Sequence, residues 1–305
     1  MSRALDLKAK LSDSLATEIM ASKIFHKATN KSSTKPMSLL KQTLLDLENL
    51  KIIPSKKLSQ NFLVDGNTVD KVIAISKVRN GDVVVEIGPG LGALSEKFLK
   101  VGARLFAVEL DGRLFNFLKS KFADYNNLWL MHGDAVDFPI AGLPQNIGNF
   151  KVVSNLPYSI SSTWINALLD CYHLPQSISL ITQTETAQRF FASTRPSEIC
   201  PISIFIQSAY DRVCVHRMGA NSFYPKPMVS SAMISMVKKQ TPFFFKPRTK
   251  QTIRWVFTKR RKQMGGIGKD GCAELQNWLS KCKIATHQRP EEISIQQWQM
   301  LDEFF

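Results

Sequence analysis

The segment Asp82-Val83-Val84-Val85-Glu86-Ile87-Gly88-Pro89-Gly90-Leu91-Gly92-Ala93 decides how the chain is read. Its β-branched run reads as a buried strand, and the alternate glycines let the backbone bend sharply and come close to a ligand. The stretch from Ala93 to Val101 has helical spacing, so the glycines sit between a strand and a helix. In an open α/β sheet that junction, at the carboxyl end of a strand, is where a nucleotide-bearing ligand binds. Gly88, Gly90 and Ala93 satisfy the dinucleotide pattern G-x-G-x-x-G/A, and Glu109 lies where that pattern wants a ribose-binding carboxylate. The loop by itself leaves nicotinamide dinucleotide and S-adenosylmethionine both open.

Outward from this segment, strand-like runs alternate with helical ones. The strand candidates are Val83 to Ile87, Arg104 to Glu109, Leu128 to His132, Phe150 to Ser154 and Ile178 to Thr182, and the helical stretches include Arg113 to Phe122 and Thr163 to Tyr172. Beyond Pro201 two longer β-like runs, Ile202 to Val215 and Val229 to Val237, lie too close together for a parallel crossover and are expected to pair antiparallel. The predicted architecture is α/β: a Rossmann-like class I methyltransferase domain with a seven-stranded mixed sheet closed by an antiparallel hairpin, followed by a small C-terminal helical domain.

The predicted boundaries are 1–37 for a polar, irregular extension, 38–240 for the sheet domain and 241–305 for the helical one, with Pro242 and Pro247 at the junction. Leu39, Leu40, Leu44, Leu45, Leu47 and Leu50 predict an amphipathic helix that ends before Pro54. The last domain opens with a helix over Thr249 to Arg261 and closes with one over Ile295 to Phe305.

Composition narrows the setting. The five cysteines are odd in number and contain no C-x-x-C pair, which predicts reduced thiols and no metal site. No apolar run is long enough to cross a membrane, no secretory signal opens the chain, and Asp6, Asp13 and Glu18 argue against an organellar transit peptide, so a cytoplasmic protein is expected. Of the net charge of +15, nearly all lies in one place: Arg212 to Lys269 carries 14 Lys or Arg and no acid, leaving 26 basic and 25 acidic residues elsewhere. Such a block is suited to phosphate.

Two strand ends favour the methyl donor over nicotinamide. Glu109 closes the second strand, where a carboxylate can accept both ribose hydroxyls, and Gly133-Asp134-Ala135 closes the third, where Asp134 can accept from an adenine amine. Directly after the fourth strand stands Asn155-Leu156-Pro157-Tyr158. The lone pair of an exocyclic adenine amine is delocalised into the ring, so a catalyst must grip both N–H bonds and turn the lone pair toward the methyl group. The Asn155 side-chain oxygen and the Leu156 carbonyl can be the two acceptors. Pro157 stiffens the turn, and Tyr158 offers a face on which the base can stack. Because a sulfonium is already a good leaving group, alignment does most of the work and no metal or catalytic triad is needed.

These motifs resemble the ribosomal RNA adenine dimethyltransferase family, from about Lys56 to the C-terminus. The resemblance implies transfer of methyl groups from S-adenosylmethionine to N6 of two adjacent adenines near the 3′ end of small-subunit (16S) rRNA, giving N6,N6-dimethyladenosine during ribosome maturation. Leu58-Ser59-Gln60-Asn61-Phe62-Leu63 is similar to a family segment that closes over the donor, which implies donor contacts by Gln60, Asn61 and Leu63. By the same resemblance Gly88 and Gly90 pass under the methionine portion, Glu109 with Leu110 holds the ribose, Asp134 with Ala135 holds the adenine, and Asn155 lies between donor and target base.

Phe223-Tyr224-Pro225-Lys226-Pro227 is similar to a loop that sets an aromatic ring opposite the tyrosine, so Phe223 and Tyr158 are expected to sandwich the target. Phe257, Arg260, Arg261 and Lys262 resemble a basic helix that contacts RNA; Lys226, Arg254 and Lys259 complete the expected RNA-binding set. The implied partner is small-subunit rRNA within a pre-30S particle, met by a monomer. The chain departs from the family at Leu58-Ser59 (usually Phe-Gly), Thr184 (Lys), Met228 (Lys), Ser230 (Asp) and Gln263-Met264-Gly265-Gly266 (a polar helix). Two other readings share the core motifs: a large-subunit adenine methyltransferase of the antibiotic-resistance type, and a nucleic-acid-binding factor without turnover. The C-terminal motifs, including Arg289-Pro290-Glu291-Glu292-Ile293-Ser294, resemble the small-subunit branch.

Overall fold

Strand β2 (Val83–Ile87) is buried at every position, which explains why its sequence is continuously apolar rather than alternating: helices cover both faces of the sheet it belongs to. The computed structural model describes residues 37–55, 58–171, 173–192 and 198–305; the extension expected over 1–37 lies outside the described residues except for its last one. With β2, strands β3 (Arg104–Glu109), β4 (Leu128–His132), β5 (Lys151–Asn155) and β6 (Ser177–Gln183) form a parallel array. Strands β7 (Tyr210–Met218) and β9 (Ser231–Lys238) close it antiparallel, in the order β4-β3-β2-β5-β6-β9-β7. This is the predicted seven-stranded mixed sheet.

The helices follow their sequence signals. Helix α1 (Leu39–Asn49) ends before Pro54; α2 (Gly66–Ser76) starts where the Asp65 side chain accepts from the backbone N–H groups of Asn67 and Thr68. The parallel strands are linked through α3 (Ala93–Lys100), α4 (Gly112–Lys121) and α5 (Ser161–Leu169). After β6 come α6 (Thr184–Phe190) and α7 (Pro201–Ala209).

Helix α7 overturns one expectation: Ile202 to Ala209 is helical, and only Tyr210 onward is the strand read over Ile202 to Val215. The segment is buried nearly all round, and a short, largely apolar run of this kind reads as strand or helix alike. The overlooked signal is Pro201 at the first turn, beside Ser203, whose hydroxyl accepts from the Cys200 N–H at 3.2 Å.

Four helices follow: α8 (Pro247–Thr258), α9 (Met264–Asp270), α10 (Ala273–Lys281) and α11 (Ile295–Met300). Their core is continuous with one face of the sheet, since Ile253, Val256, Trp278 and Trp298 belong to the same buried cluster as Val152, Leu180 and Phe205. Trp278 and Trp298 stack at 4.9 Å between ring centroids, and the Trp278 indole donates to the Gln297 carbonyl. Among the described residues no helix is long and apolar enough to cross a membrane.

Candidate active site

The strand order reverses between β2 and β5: one side runs to β3 and β4, the other to β6. Open α/β sheets leave a crevice at such a switch point, outside the carboxyl ends of the strands. Here it is a cleft of about 1400 Å³ of empty space, partly open to solvent. The structure brings to its wall Gln60, Asn61, Leu63, Gly88, Gly90, Glu109, Leu110, Asp134, Ala135 and Asn155 to Tyr158. That is every residue expected for the donor and the entire Asn-Leu-Pro-Tyr motif.

The glycine loop is shaped by close approach. Gly88 and Gly90 hold φ of 63° and 62°, and a Cβ on either would stand 3.3 Å from the Pro157 ring or 3.2 Å from the Phe62 ring. The Gly90 N–H donates to Glu109 Oε2 and the Asp111 N–H to Oε1, each at 3.0 Å. Glu109 is thus pinned with lone pairs left for hydroxyl donors. Burial lifts its carboxyl above the usual range, while the backbone donors of Asp111, Gly90 and Leu110 pull it back. Asp134, half-buried, caps its own turn by accepting from the Val136 N–H at 2.8 Å.

Sequence reasoning passed over Glu86, which also lines the cleft and is 2% exposed. Burial pushes its carboxyl up to about 8; the Ser95 hydroxyl, donating to Oε2 at 2.6 Å, works the other way, and the nearby Glu109 adds to the rise. A carboxyl inside a buried valine strand was the available signal.

Asn155 is fixed by a segment far away in sequence. Its Nδ2 donates to the Asn61 carbonyl at 2.7 Å, so its Oδ1 faces the other way; that oxygen is buried and has no hydrogen-bond partner. A buried acceptor left unpaired costs about 1–3 kcal/mol, a cost expected where a ligand completes the bond. The segment carrying Asn61 is tied down by a small antiparallel pair that sequence reasoning missed: β1 (Phe62–Leu63) against β8 (Phe223–Tyr224), extended by the Val64 N–H to Ser222 carbonyl bond. Gln60 Nε2 adds a bond to Asp111 at 3.3 Å. Ser59, where the family usually has glycine, sits at φ 49°.

Leu156 donates its N–H to the Ile181 carbonyl, and the Tyr158 hydroxyl lies 2.6 Å from Ser231 Oγ. Burial raises the Tyr158 phenol. The expected partner ring is elsewhere: Phe223 is 2% exposed, packed with Leu63, Val69, Ile181 and Met233, and it does not line the cleft. Its place in β8 sets it opposite Leu63, which does line the cleft.

The basic block is not uncompensated in space. Six of its fourteen cations, Lys239, Arg248, Lys250, Lys259, Arg260 and Lys262, pair with Asp211, Glu274, Asp170, Asp270, Glu291 and again Asp270. Arg254 donates to Asn166 and lies over the Phe205 ring, and Lys259 sits 4.2 Å from the Trp255 ring centroid. Lys226 and Arg261 are exposed and enter none of these pairs. The acids come from outside the block, so its run of bases overstated the local charge.

A parallel sheet with an antiparallel hairpin, a glycine loop and carboxylates at successive strand ends define a class I S-adenosylmethionine-dependent methyltransferase. The sequence model of the ribosomal RNA adenine dimethylase family matches residues 53–305. The chain belongs to that family. It is 41% identical over 255 residues to ribosomal RNA small subunit methyltransferase A of Opitutus terrae, an alignment that covers 81% of this chain and 92% of the relative. Among solved structures, a dimethyladenosine transferase from Plasmodium falciparum has the same fold with a TM-score of 0.63 and 23% identity, over 79% of this chain and 95% of the other. The 23S rRNA methyltransferase ErmE matches with a TM-score of 0.57 and 21% identity, over 80% and 99%.

Proposed function

We propose that this enzyme transfers methyl groups to N6 of two adjacent adenines near the 3′ end of small-subunit rRNA, giving N6,N6-dimethyladenosine, and that it does so as a cytoplasmic monomer on a pre-30S particle. The reading rests above all on one atom. Asn155 Oδ1 is a buried acceptor without a partner, aimed by the anchored Nδ2 of the same amide, beside a glycine loop where a Cβ would crowd Pro157 and Phe62.

When bound, S-adenosylmethionine supplies an electrophilic methyl group. Gly88 and Gly90 would run under its methionine portion, Glu109 and Leu110 would hold the ribose, Asp134 and Ala135 the adenine, with Gln60, Asn61 and Leu63 closing over it. Asn155 Oδ1 and the Leu156 carbonyl each accept one N–H of the target amine, which turns the nitrogen lone pair toward the methyl. Pro157 stiffens that turn, and Tyr158, steadied by Ser231, carries the flipped base on its ring. The amine sheds a proton to solvent with each methyl gained, so none of these residues has to act as a strong base. Lys226 and Arg261, exposed and outside the ion pairs described above, are cations for the RNA backbone, with the residues 241–305 as the docking domain.

The test is to incubate the protein with labelled donor and with small- or large-subunit particles lacking the modification, then map the label. Label on two neighbouring adenines near the 3′ end of small-subunit RNA is expected. Label on large-subunit RNA would overturn the choice of substrate, and none on either would leave a binding factor.

A further inference from the structure

Helix α1 presents its faces the wrong way round for a surface helix. Leu40, Leu44 and Leu45 are 42%, 40% and 38% exposed, whereas Leu39, Gln42, Thr43 and Asp46 line the cleft. The latter are spaced i, i+3, i+4 and i+7, a single stripe of the helix. Thr43 is 3% exposed, and Gln42 Nε2 donates to Asp46 Oδ1 at 2.8 Å, which aligns both side chains along that stripe. Below them Leu47 packs with Leu91 and Leu114, so the helix is seated rather than loose.

Polar side chains turned inward, with leucines one position away left in solvent, call for a polar occupant, because burying them against apolar groups alone is costly. The same cleft is also lined by Glu109, Leu110, Asp111 and Gln60. Helix α1 precedes the region that the family's sequence model matches, which begins at residue 53.

We propose that α1 completes the methyl-donor site, with Gln42, Thr43 and Asp46 meeting the hydroxyl- and ammonium-bearing groups of S-adenosylmethionine and of its demethylated product. This rests on reading the cleft as the donor site. The experiment is equilibrium binding of S-adenosylhomocysteine to the full chain by calorimetry, with melting temperatures of the ligand-free variants recorded alongside. Gln42→Ala, Thr43→Val and Asp46→Asn are each expected to raise Kd about 3–10-fold, the worth of one hydrogen bond, with melting unchanged. Thr43→Ser, which keeps the hydroxyl, and Glu48→Gln, on the exposed side of the helix, are expected to bind as the parent does. Glu109→Ala serves as the comparator. If it binds weakly while the α1 variants bind normally, α1 is only a cover and the proposal fails while the donor site stands. If Glu109→Ala also binds normally, the donor reading falls and takes the proposal with it.

Discussion

The donor cleft and the basic C-terminal surface handle charge in opposite ways. In the cleft, Glu86 and Glu109 are buried, and groups 9 and 19 residues away hold them: the Ser95 hydroxyl and the Gly90 N–H. On the basic surface, the partners come from farther along the chain, 80 residues away for the buried Lys250 with Asp170 and 88 for Arg254 with Asn166. The first arrangement fixes a few carboxyls in low dielectric, where dipoles and charge act strongly on whatever develops beside them. The second ties six of its fourteen cations to acids and leaves the others, Lys226 and Arg261 among them, spread over the surface for RNA. Catalytic strength should therefore be concentrated in single atoms of the cleft, and RNA affinity spread thinly over the surface.

The contrast breaks first, and most severely, at Asn155. Asn155→Ala is expected to lower single-turnover methyl transfer on the order of 10²–10³-fold, the usual cost of losing one preorganised transition-state contact, while the Kd for S-adenosylhomocysteine changes far less. Unchanged turnover in that variant would refute its role.

Next comes Glu86. Its folded pKa of about 8 lies above the ordinary value of 4.5, so between those limits the folded chain keeps a proton that the unfolded chain releases. Its contribution to stability is complete below about pH 4.5 and is lost as the pH rises through 8. Melting temperatures of the parent should fall between pH 5 and 9 more steeply than those of Glu86→Gln; parallel curves would contradict the assignment.

The surface should respond more mildly. Arg261→Ala is expected to weaken RNA binding a few-fold and to reduce the slope of log K against log salt by about 1. Lys262→Ala should do less, since Lys262 is already paired with Asp270 at 3.1 Å. An equal loss in both, measured by a salt titration, would show that the Asp270 pairing opens on RNA. Smallest of all, Ser59→Gly should stabilise the fold by up to about 1 kcal/mol by relieving a left-handed serine, read as the shift of the urea midpoint. A loss of stability there would mean that the hydroxyl does more than the strain costs.

What the sequence could reveal follows from how far apart the cooperating residues lie. Strands β2, β3 and β4 were readable to the residue, because each is a short apolar run ending at a glycine or an acid that the donor site uses. Asn155 was readable because its motif adjoins its own strand. Helix α7 was not, since a short apolar run buried on nearly every side fits strand and helix alike. The β1–β8 pair joins residues some 160 positions apart through two-residue strands, too short to leave a pattern. That pairing sets Phe223 opposite Leu63, a neighbour its motif did not announce. The inward stripe of α1 was hidden for a related reason, since its six leucines predict an amphipathic helix without saying that only some of them, such as Leu47, are covered.

The grip on Asn155 is made by an oxygen of the main chain, and that has an evolutionary consequence. No replacement of the Asn61 side chain can delete a carbonyl that every amino acid possesses. Side-chain drift at 61 therefore leaves the aim of the Asn155 amide intact as long as the ribbon keeps its path, and a serine can occupy a glycine's place at 59 without disturbing it. Positions that abut the ribbon, such as Gly90 beneath Phe62, inherit the intolerance instead.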